Sequence, residues 1–315
     1  MRHNGIHHVT AIAASARRNL DFFTRILGMR LVKKTVNFDD PGGYHFYYGD
    51  EAGHPGTILT FFPLEHAAPG RAGRAGSGET QETRFLVPEA SLSFWTQRLV
   101  EKGVAHEAPT KVFGETTIAF TDPDGTHLAL VGVAGAEAEP GWSDGEIPQE
   151  HAIRGIHSVK LLLEDAEPTA EILTDVLGFE AAGKDGSLAR FQAKGSSPAT
   201  PGTFVDLHAA GEFLRGRMGA GSVHHIAFRA DEAGQAEMAR RLREVHRIAT
   251  TEQKDRKYFR SVYFREPGGV LFEIATDDPG FAIDESETNL GQALKLPDQY
   301  EARRTEIEAV LPELA

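Results

Sequence analysis

The 315-residue sequence predicts an α+β fold built from four copies of one small unit, each a strand, a helix and then several strands. Three observations carry this expectation. First, the chain repeats itself: Gly5-Ile6-His7-His8-Val9 leads to Ile26-Leu27-Gly28-Met29, and 150 residues later Gly155-Ile156-His157-Ser158-Val159 leads to Val176-Leu177-Gly178-Phe179. Second, each half holds a looser copy. Phe120-Thr121-Asp122-Pro123-Asp124-Gly125 precedes Leu128-Ala129-Leu130, much as Phe264-Arg265-Glu266-Pro267-Gly268-Gly269 precedes Phe272-Glu273-Ile274. Third, short, partly β-branched segments alternate with segments whose apolar residues recur at helical spacing.

The four units fall near residues 4–66, 79–135, 153–210 and 221–278. Their opening strands are Ile6 to Ile12, Thr83 to Val87, Ser158 to Leu163 and Val223 to Phe228. In the helices that follow, Leu20, Phe23 and Leu27 make one apolar stripe and Leu92, Trp95 and Leu99 another. Gly28, Gly103 and Gly178 stand where those helices take their C-terminal caps. Pro123-Asp124-Gly125 and Pro267-Gly268-Gly269 read as hairpin turns. Ala67 to Gly78 (Gly, Ala and Arg) and Ala136 to Glu150 (acidic, with Pro140 and Pro148) read as linkers. Pro55-Gly56-Thr57 recurs as Pro201-Gly202-Thr203. Beyond Asp278 a charged helix is expected over about Pro297 to Val310.

Composition narrows the function. At 40% apolar and 25% charged residues, the chain reads as an ordinary globular protein. A net charge of −13 leaves no concentrated basic face for nucleic acid, Arg71 and Arg74 being scattered in a Gly/Ala stretch. No apolar run is long enough to span a bilayer and none follows Met1 as a signal peptide would, so a cytoplasmic protein is expected. The absence of cysteine excludes thiolate ligands and cysteine nucleophiles.

The chemistry is expected at His8, His225 and Glu273. His8 and His225 lie on the opening strands of units one and four, and Glu273 on the last strand of unit four. Two imidazoles and a carboxylate leave coordination positions open and suit Fe(II), Mn(II) or Zn(II). The repeat supplies a comparison: the matching positions hold Ser158, Glu82 and Ala129, so pairing units two and three gathers only one potential ligand. Glu273, among Leu271, Phe272 and Ile274, needs a partner if buried, either a metal or an arginine.

The units resemble the βαβββ modules of the vicinal-oxygen-chelate superfamily of glyoxalases and extradiol dioxygenases, and within it the ring-cleaving dioxygenases that act on hydroquinones. The resemblance covers nearly the whole chain. It rests on Ile6-His7-His8-Val9-Thr10, on Tyr44-His45-Phe46-Tyr47-Tyr48-Gly49-Asp50, on Val223-His224-His225-Ile226-Ala227-Phe228 and on the stretch from Arg256 through Tyr263 to Glu273. It implies two half-open β-barrel domains of two modules each, over 1–150 and 151–280, with a tail over 281–315. It further implies that His8, His225 and Glu273 bind Fe(II), and that His7, His224, Arg256 and Tyr263 surround the metal, Tyr263 and His224 as proton donors and Arg256 as the cation for a substrate oxygen. The implied partners are a small aromatic diol and O₂. A homo-oligomer is compatible with this arrangement, though four units in one chain do not need one. Strict strand alternation would send His7 and His224 away from the metal; Tyr263 also suits a barrel-capping aromatic, and Arg256 a solvated loop. A glyoxalase-like lyase or isomerase commonly has a fourth protein ligand, and Thr60 stands in that region instead of a carboxylate. A protein that sequesters a drug or quinone without turnover would need no such triad.

Overall fold

The structure, a computed structural model, describes residues 4–65 and 72–314; Arg71 and the start of the Ala67–Gly78 linker lie outside them. The first half contributes β1 (Ile6–Ala13), β2 (Arg30–Val36), β3 (Tyr44–Gly49), β4 (Ile58–Pro63), β5 (Glu79–Pro88), β6 (Thr110–Val112), β7 (Glu115–Thr121) and β8 (His127–Val133). The second contributes β9 (Gly155–Leu163), β10 (Phe179–Asp185), β11 (Leu188–Ala193), β12 (Phe204–Ala209), β13 (Val223–Ala230), β14 (Lys254–Asp255), β15 (Arg260–Arg265) and β16 (Leu271–Thr276). The helices are α1 (Ala16–Asp21), α2 (Leu92–Glu101), α3 (Glu167–Asp175), α4 (Glu232–Glu244), α5 (Asp298–Glu301) and α6 (Arg304–Val310).

These strands form two eight-stranded sheets, each curled into a half-open barrel. One has the order β14-β15-β16-β13-β1-β4-β3-β2 and the other β10-β11-β12-β9-β5-β8-β7-β6. Each sheet therefore joins one unit from each half of the chain: units one and four meet along the antiparallel pair β1·β13, units two and three along β5·β9. The helices cover the outer faces. Phe23 and Leu27, Trp95 and Leu99, and Ile172 and Leu173 pack with strand residues such as Val9, Phe85, Val159 and Phe228 in one continuous core. Removing these apolar surfaces from water is the main stabilising term. Leu20 and Leu92 flank the core only partly buried.

The helix caps and turns take the expected conformations. Gly28, Gly103 and Gly178 have φ of 67°, 68° and 76°, and Gly125 and Gly269 close their turns at 88° and 104°. The first helix departs from a plain α-helix by widening into a π-helical turn over Phe22–Ile26, from which Phe22 and Phe23 both enter the core. The repeated Pro-Gly-Thr joins the two barrels. Ile6 N–H bonds Gly202 O at 2.8 Å, Gly202 N–H bonds Ile156 O at 2.6 Å, Ile156 N–H bonds Gly56 O at 2.8 Å, and Gly56 N–H bonds His7 O at 2.8 Å. At Gly202, with φ of 77°, a Cβ would lie 2.6 Å from the Ile6 carbonyl oxygen, so only glycine allows this approach.

The tail is two short helices, α5 and α6, rather than the single helix expected. Two anchors orient the pieces: the Tyr300 hydroxyl donates to Phe38 O at 2.9 Å, and Ile307 is buried with Val36 and Leu296. Upstream, the segment after β16 packs against the first barrel. Buried Lys33 forms 2.6 Å ion pairs with Asp284 and Glu285, and Phe281 stacks on Tyr258 at 5.1 Å. Among the described residues no helix is long and apolar enough to cross a membrane.

Candidate metal centre

The pairing of β1 with β13, and of β13 with β16, brings His8, His225 and Glu273 together inside the first barrel. All three are buried, and one ligand atom from each lies within 4.8 Å of the others. His225 Nε2 is 2.9 Å and His8 Nε2 3.5 Å from Glu273 Oε2, and the two Nε2 atoms are 3.3 Å apart. Ligand atoms about 2.1 Å from a shared ion, at right angles, stand about 3 Å apart, so these separations fit one small divalent cation. The other Glu273 oxygen accepts a 2.5 Å hydrogen bond from Ser261 Oγ, whereas Oε2, fully buried, has no hydrogen-bond donor. No arginine bonds Glu273 among the described residues; its Oε2 faces the two histidines.

Protonation agrees with ligation. Burial lowers the pKa of His225 and so keeps it neutral, with Glu273 and His8 adjusting the value. Burial alone would push Glu273 upward, but the imidazoles of His8 and His225 prevail and hold it well below the usual carboxylate range. A carboxylate and neutral imidazole are the forms a metal binds.

His7 and His224 stand beside the ligands because strand alternation fails there. The β1·β13 ladder slips between Ile6 and His8, leaving His7 as the extra residue on β1; it slips again between Thr10 and Ala11, where His224 is extra on β13. Such bulges redirect side chains. His7 Nδ1 then lies 2.9 Å from His8 Nδ1, and His224 Nδ1 lies 2.7 Å from His225 Nδ1. If each ligand donates its Nδ1 proton across this contact, its Nε2 lone pair faces Glu273. Burial, with a smaller contribution from the neighbouring ligand, lowers His7 to about 3 and His224 to about 4. Both are neutral at physiological pH and can accept that bond.

A cavity of about 590 Å³ opens over the triad. Ile12, Phe62, Leu64 and Met218 give it an apolar wall; Asn37, Asp39, Lys254, Arg256 and Tyr263 give it a polar one. Arg256 is turned inward, not solvated: its Nε is 3.3 Å from the Tyr263 hydroxyl and its Nη2 3.0 Å from Asp39. Burial opposes its charge, but Tyr263 and Asp39 outweigh burial and raise its pKa. Tyr263, opposite Glu273 on β15, is half-buried and lines the cavity; burial first, then Glu273, raises its pKa and keeps the phenol protonated. His224 lines this cavity and His7 does not. The sequence gives no sign of a role for Ser261, which holds Glu273, or Phe259, whose ring lies 5.0 Å from that of His8; His45 and Tyr47, in the Tyr44–Asp50 motif, carry no assigned role there and line the cavity.

Thr60 occupies the position in unit one that Glu273 occupies in unit four. In β1·β4, Thr10 pairs with Thr60, and in β13·β16, Ala227 pairs with Glu273, each two residues beyond the histidine. The second barrel shows what replaces a site. At the corresponding positions stand Ser158, Glu82, Ala129 and also Asp206, a second carboxylate that the sequence comparison overlooked. Buried Arg84 bridges Glu82 at 2.5 Å and Asp206 at 2.6 Å, and Arg190 bonds Asp206 and Glu115.

This barrel pairing with a two-histidine, one-carboxylate centre defines the metal-binding class of paired βαβββ-module proteins. The chain belongs to the Glyoxalase/Bleomycin resistance protein/Dioxygenase superfamily, whose sequence profile matches residues 5–130 and 155–274. It is 45% identical over 307 residues to MhqO of Bacillus subtilis (strain 168), provisionally named a ring-cleaving dioxygenase, covering 96% of this chain and 94% of that one. It is 33% identical over 312 residues to the chlorohydroquinone/hydroquinone 1,2-dioxygenase of Sphingobium indicum, covering 97% and 95%. A crystal structure of a provisionally assigned Bacillus subtilis dioxygenase, 43% identical, superposes with a TM-score of 0.91 over 100% of this chain and 99% of that one.

Proposed function

We propose that this protein is a cytoplasmic Fe(II)-dependent, extradiol-type dioxygenase that inserts O₂ into the ring of an aromatic diol, a hydroquinone or substituted hydroquinone. The observation that carries this reading is the convergence of His8, His225 and the donor-less Glu273 oxygen at the base of a half-apolar cavity. Thr60 in place of a fourth ligand favours it over a glyoxalase-like lyase. The relatives named for hydroquinone and ring cleavage support the substrate class.

His8, His225 and Glu273 would hold the metal, with Mn(II) or Zn(II) as chemically allowed substitutes for Fe(II). When bound, Fe(II) supplies adjacent open positions for a phenolic oxygen and O₂ and accepts electron density from the ring. The protein does the rest. Phe62 and Phe259 line the cavity and supply apolar surface against which an aromatic substrate would pack. Arg256, fixed by Asp39, places a permanent cation beside the diol oxygen that loses its proton. Tyr263 keeps its proton near that guanidinium and is the donor for an oxygen that gains charge. His7 and His224 fix the tautomers of the ligands, and His224 also reaches the cavity.

The test is O₂ uptake by protein loaded anaerobically with Fe(II) and given hydroquinone, catechol or buffer. Uptake that follows the diol and falls at least 100-fold in His8→Ala is the expected result. Metal-loaded protein that consumes no O₂ with either diol contradicts the dioxygenase and leaves the lyase as the reading of the same centre.

A further inference from the structure

We infer that Tyr47, His45, Thr60 and Thr10 form a proton relay whose two ends open on the same cavity, with His45 as the positioning residue that carries the proton between them. This deepens the dioxygenase reading and rests on it. The Tyr47 hydroxyl is 2.9 Å from His45 Nδ1, His45 Nε2 is 2.8 Å from Thr60 Oγ1, and Thr60 Oγ1 donates to Thr10 Oγ1 at 2.8 Å. All four residues are buried; Thr10, His45 and Tyr47 line the cavity, and Thr60 links them without lining it. Among the described residues, neither end hydroxyl makes another side-chain hydrogen bond, which leaves each with capacity to bond a reactant oxygen.

The direction of the Thr60–Thr10 bond orders the chain. Thr60 donates forward and must accept from His45 Nε2–H, which leaves Nδ1 bare to accept from Tyr47. Burial, reinforced by His8 and His225, lowers His45 well below its ordinary value, so the ring is neutral with one proton and one lone pair. A transfer then balances without net charge. An oxygen of the bound reactants gives its proton to the Tyr47 oxygen as Tyr47 passes its own to Nδ1. His45 releases the Nε2 proton to Thr60, Thr60 passes its proton to Thr10, and Thr10 delivers one to a second reactant oxygen. His45 ends as the other tautomer, and the reverse traffic resets it. Ring opening of a diol needs such a movement, because a substrate hydroxyl loses a proton while a product oxygen gains one. The position that would hold a fourth carboxylate ligand, Thr60, serves here as a link in this chain.

The experiment compares Thr60→Val, which keeps the size of threonine and removes the hydroxyl, with Thr60→Ser, which keeps the hydroxyl and loses the methyl group. In the Fe(II) protein, Thr60→Val is expected to lower kcat about 100-fold. The dissociation constant of hydroquinone, measured anaerobically, should move less than about twofold, and Thr60→Ser should restore kcat. A second readout needs no turnover: ¹⁵N spectra of the His45 ring in metal-free protein. They should show one tautomer, protonated at Nε2, in the wild type and in Thr60→Ser, and a mixture in Thr60→Val. Equal kcat in the two variants, or identical His45 spectra, overturns the relay. Wild-type protein that turns over no diol sinks the dioxygenase instead, and the spectra then decide the relay alone.

Discussion

Single residues distinguish the barrel with a candidate metal centre from the one without. His8, His225 and Glu273 bring three potential ligand atoms within 4.8 Å of one another, whereas Glu82 and Asp206 are neutralised by Arg84 and Arg190. Buried carboxylates are tolerated in both, by different partners. The second network has its own acid response. Burial pushes Glu115 upward, but His157 and Arg190 overcome this and hold it at about 2, below the ordinary 4.5. The folded state therefore refuses a proton that the unfolded chain accepts; the stabilisation is complete above 4.5 and is lost as pH falls toward 2. Glu115→Gln should be less stable than wild type by on the order of 2 kcal/mol at pH 6, with the gap closing as urea titrations move from pH 5 to pH 3. A gap that stays constant with pH contradicts the assigned ion pairs. The convergence of His8, His225 and Glu273 was legible in the sequence because the repeat set them against Ser158, Glu82 and Ala129. Asp206 was not, since its equivalence to Thr60 follows from strand pairing rather than from a shared motif.

At the scale of elements, the glycine caps, the Pro-Gly hairpins and the opening strands follow from local chemistry and were readable. The bulges at His7 and His224 were not. Alternation is a property of one strand, and the slip that redirects both histidines belongs to a ladder between residues more than 200 positions apart. The tail was misread for a similar reason, because its two anchors, Phe38 and the Val36–Leu296 cluster, are distant in sequence. Its docking depends on Gly291, with φ of 77°, where a Cβ would sit 1.9 Å from the Leu31 carbonyl oxygen. Gly291→Ala should cost at least about 2 kcal/mol and raise amide hydrogen exchange over residues 281–296, while the β1·β13 amides stay protected. Exchange in the tail equal to that of wild type would show that Leu31 does not constrain it.

The whole molecule is a duplicated pair in which the halves cross. Each barrel takes one unit from each half, and the two Pro-Gly-Thr loops link the barrels by backbone hydrogen bonds at Gly56 and Gly202. The second barrel repeats the architecture with its buried charges paired internally. The central claim is that one barrel alone binds the metal, through His8, His225 and Glu273. Anaerobic Fe(II) titration of the metal-free protein, alongside Glu273→Gln, tests it most directly. One tightly bound Fe(II) per chain is expected in the wild type, with affinity at least tenfold weaker in the variant. Two equivalents per chain, none, or unchanged affinity in Glu273→Gln would contradict it.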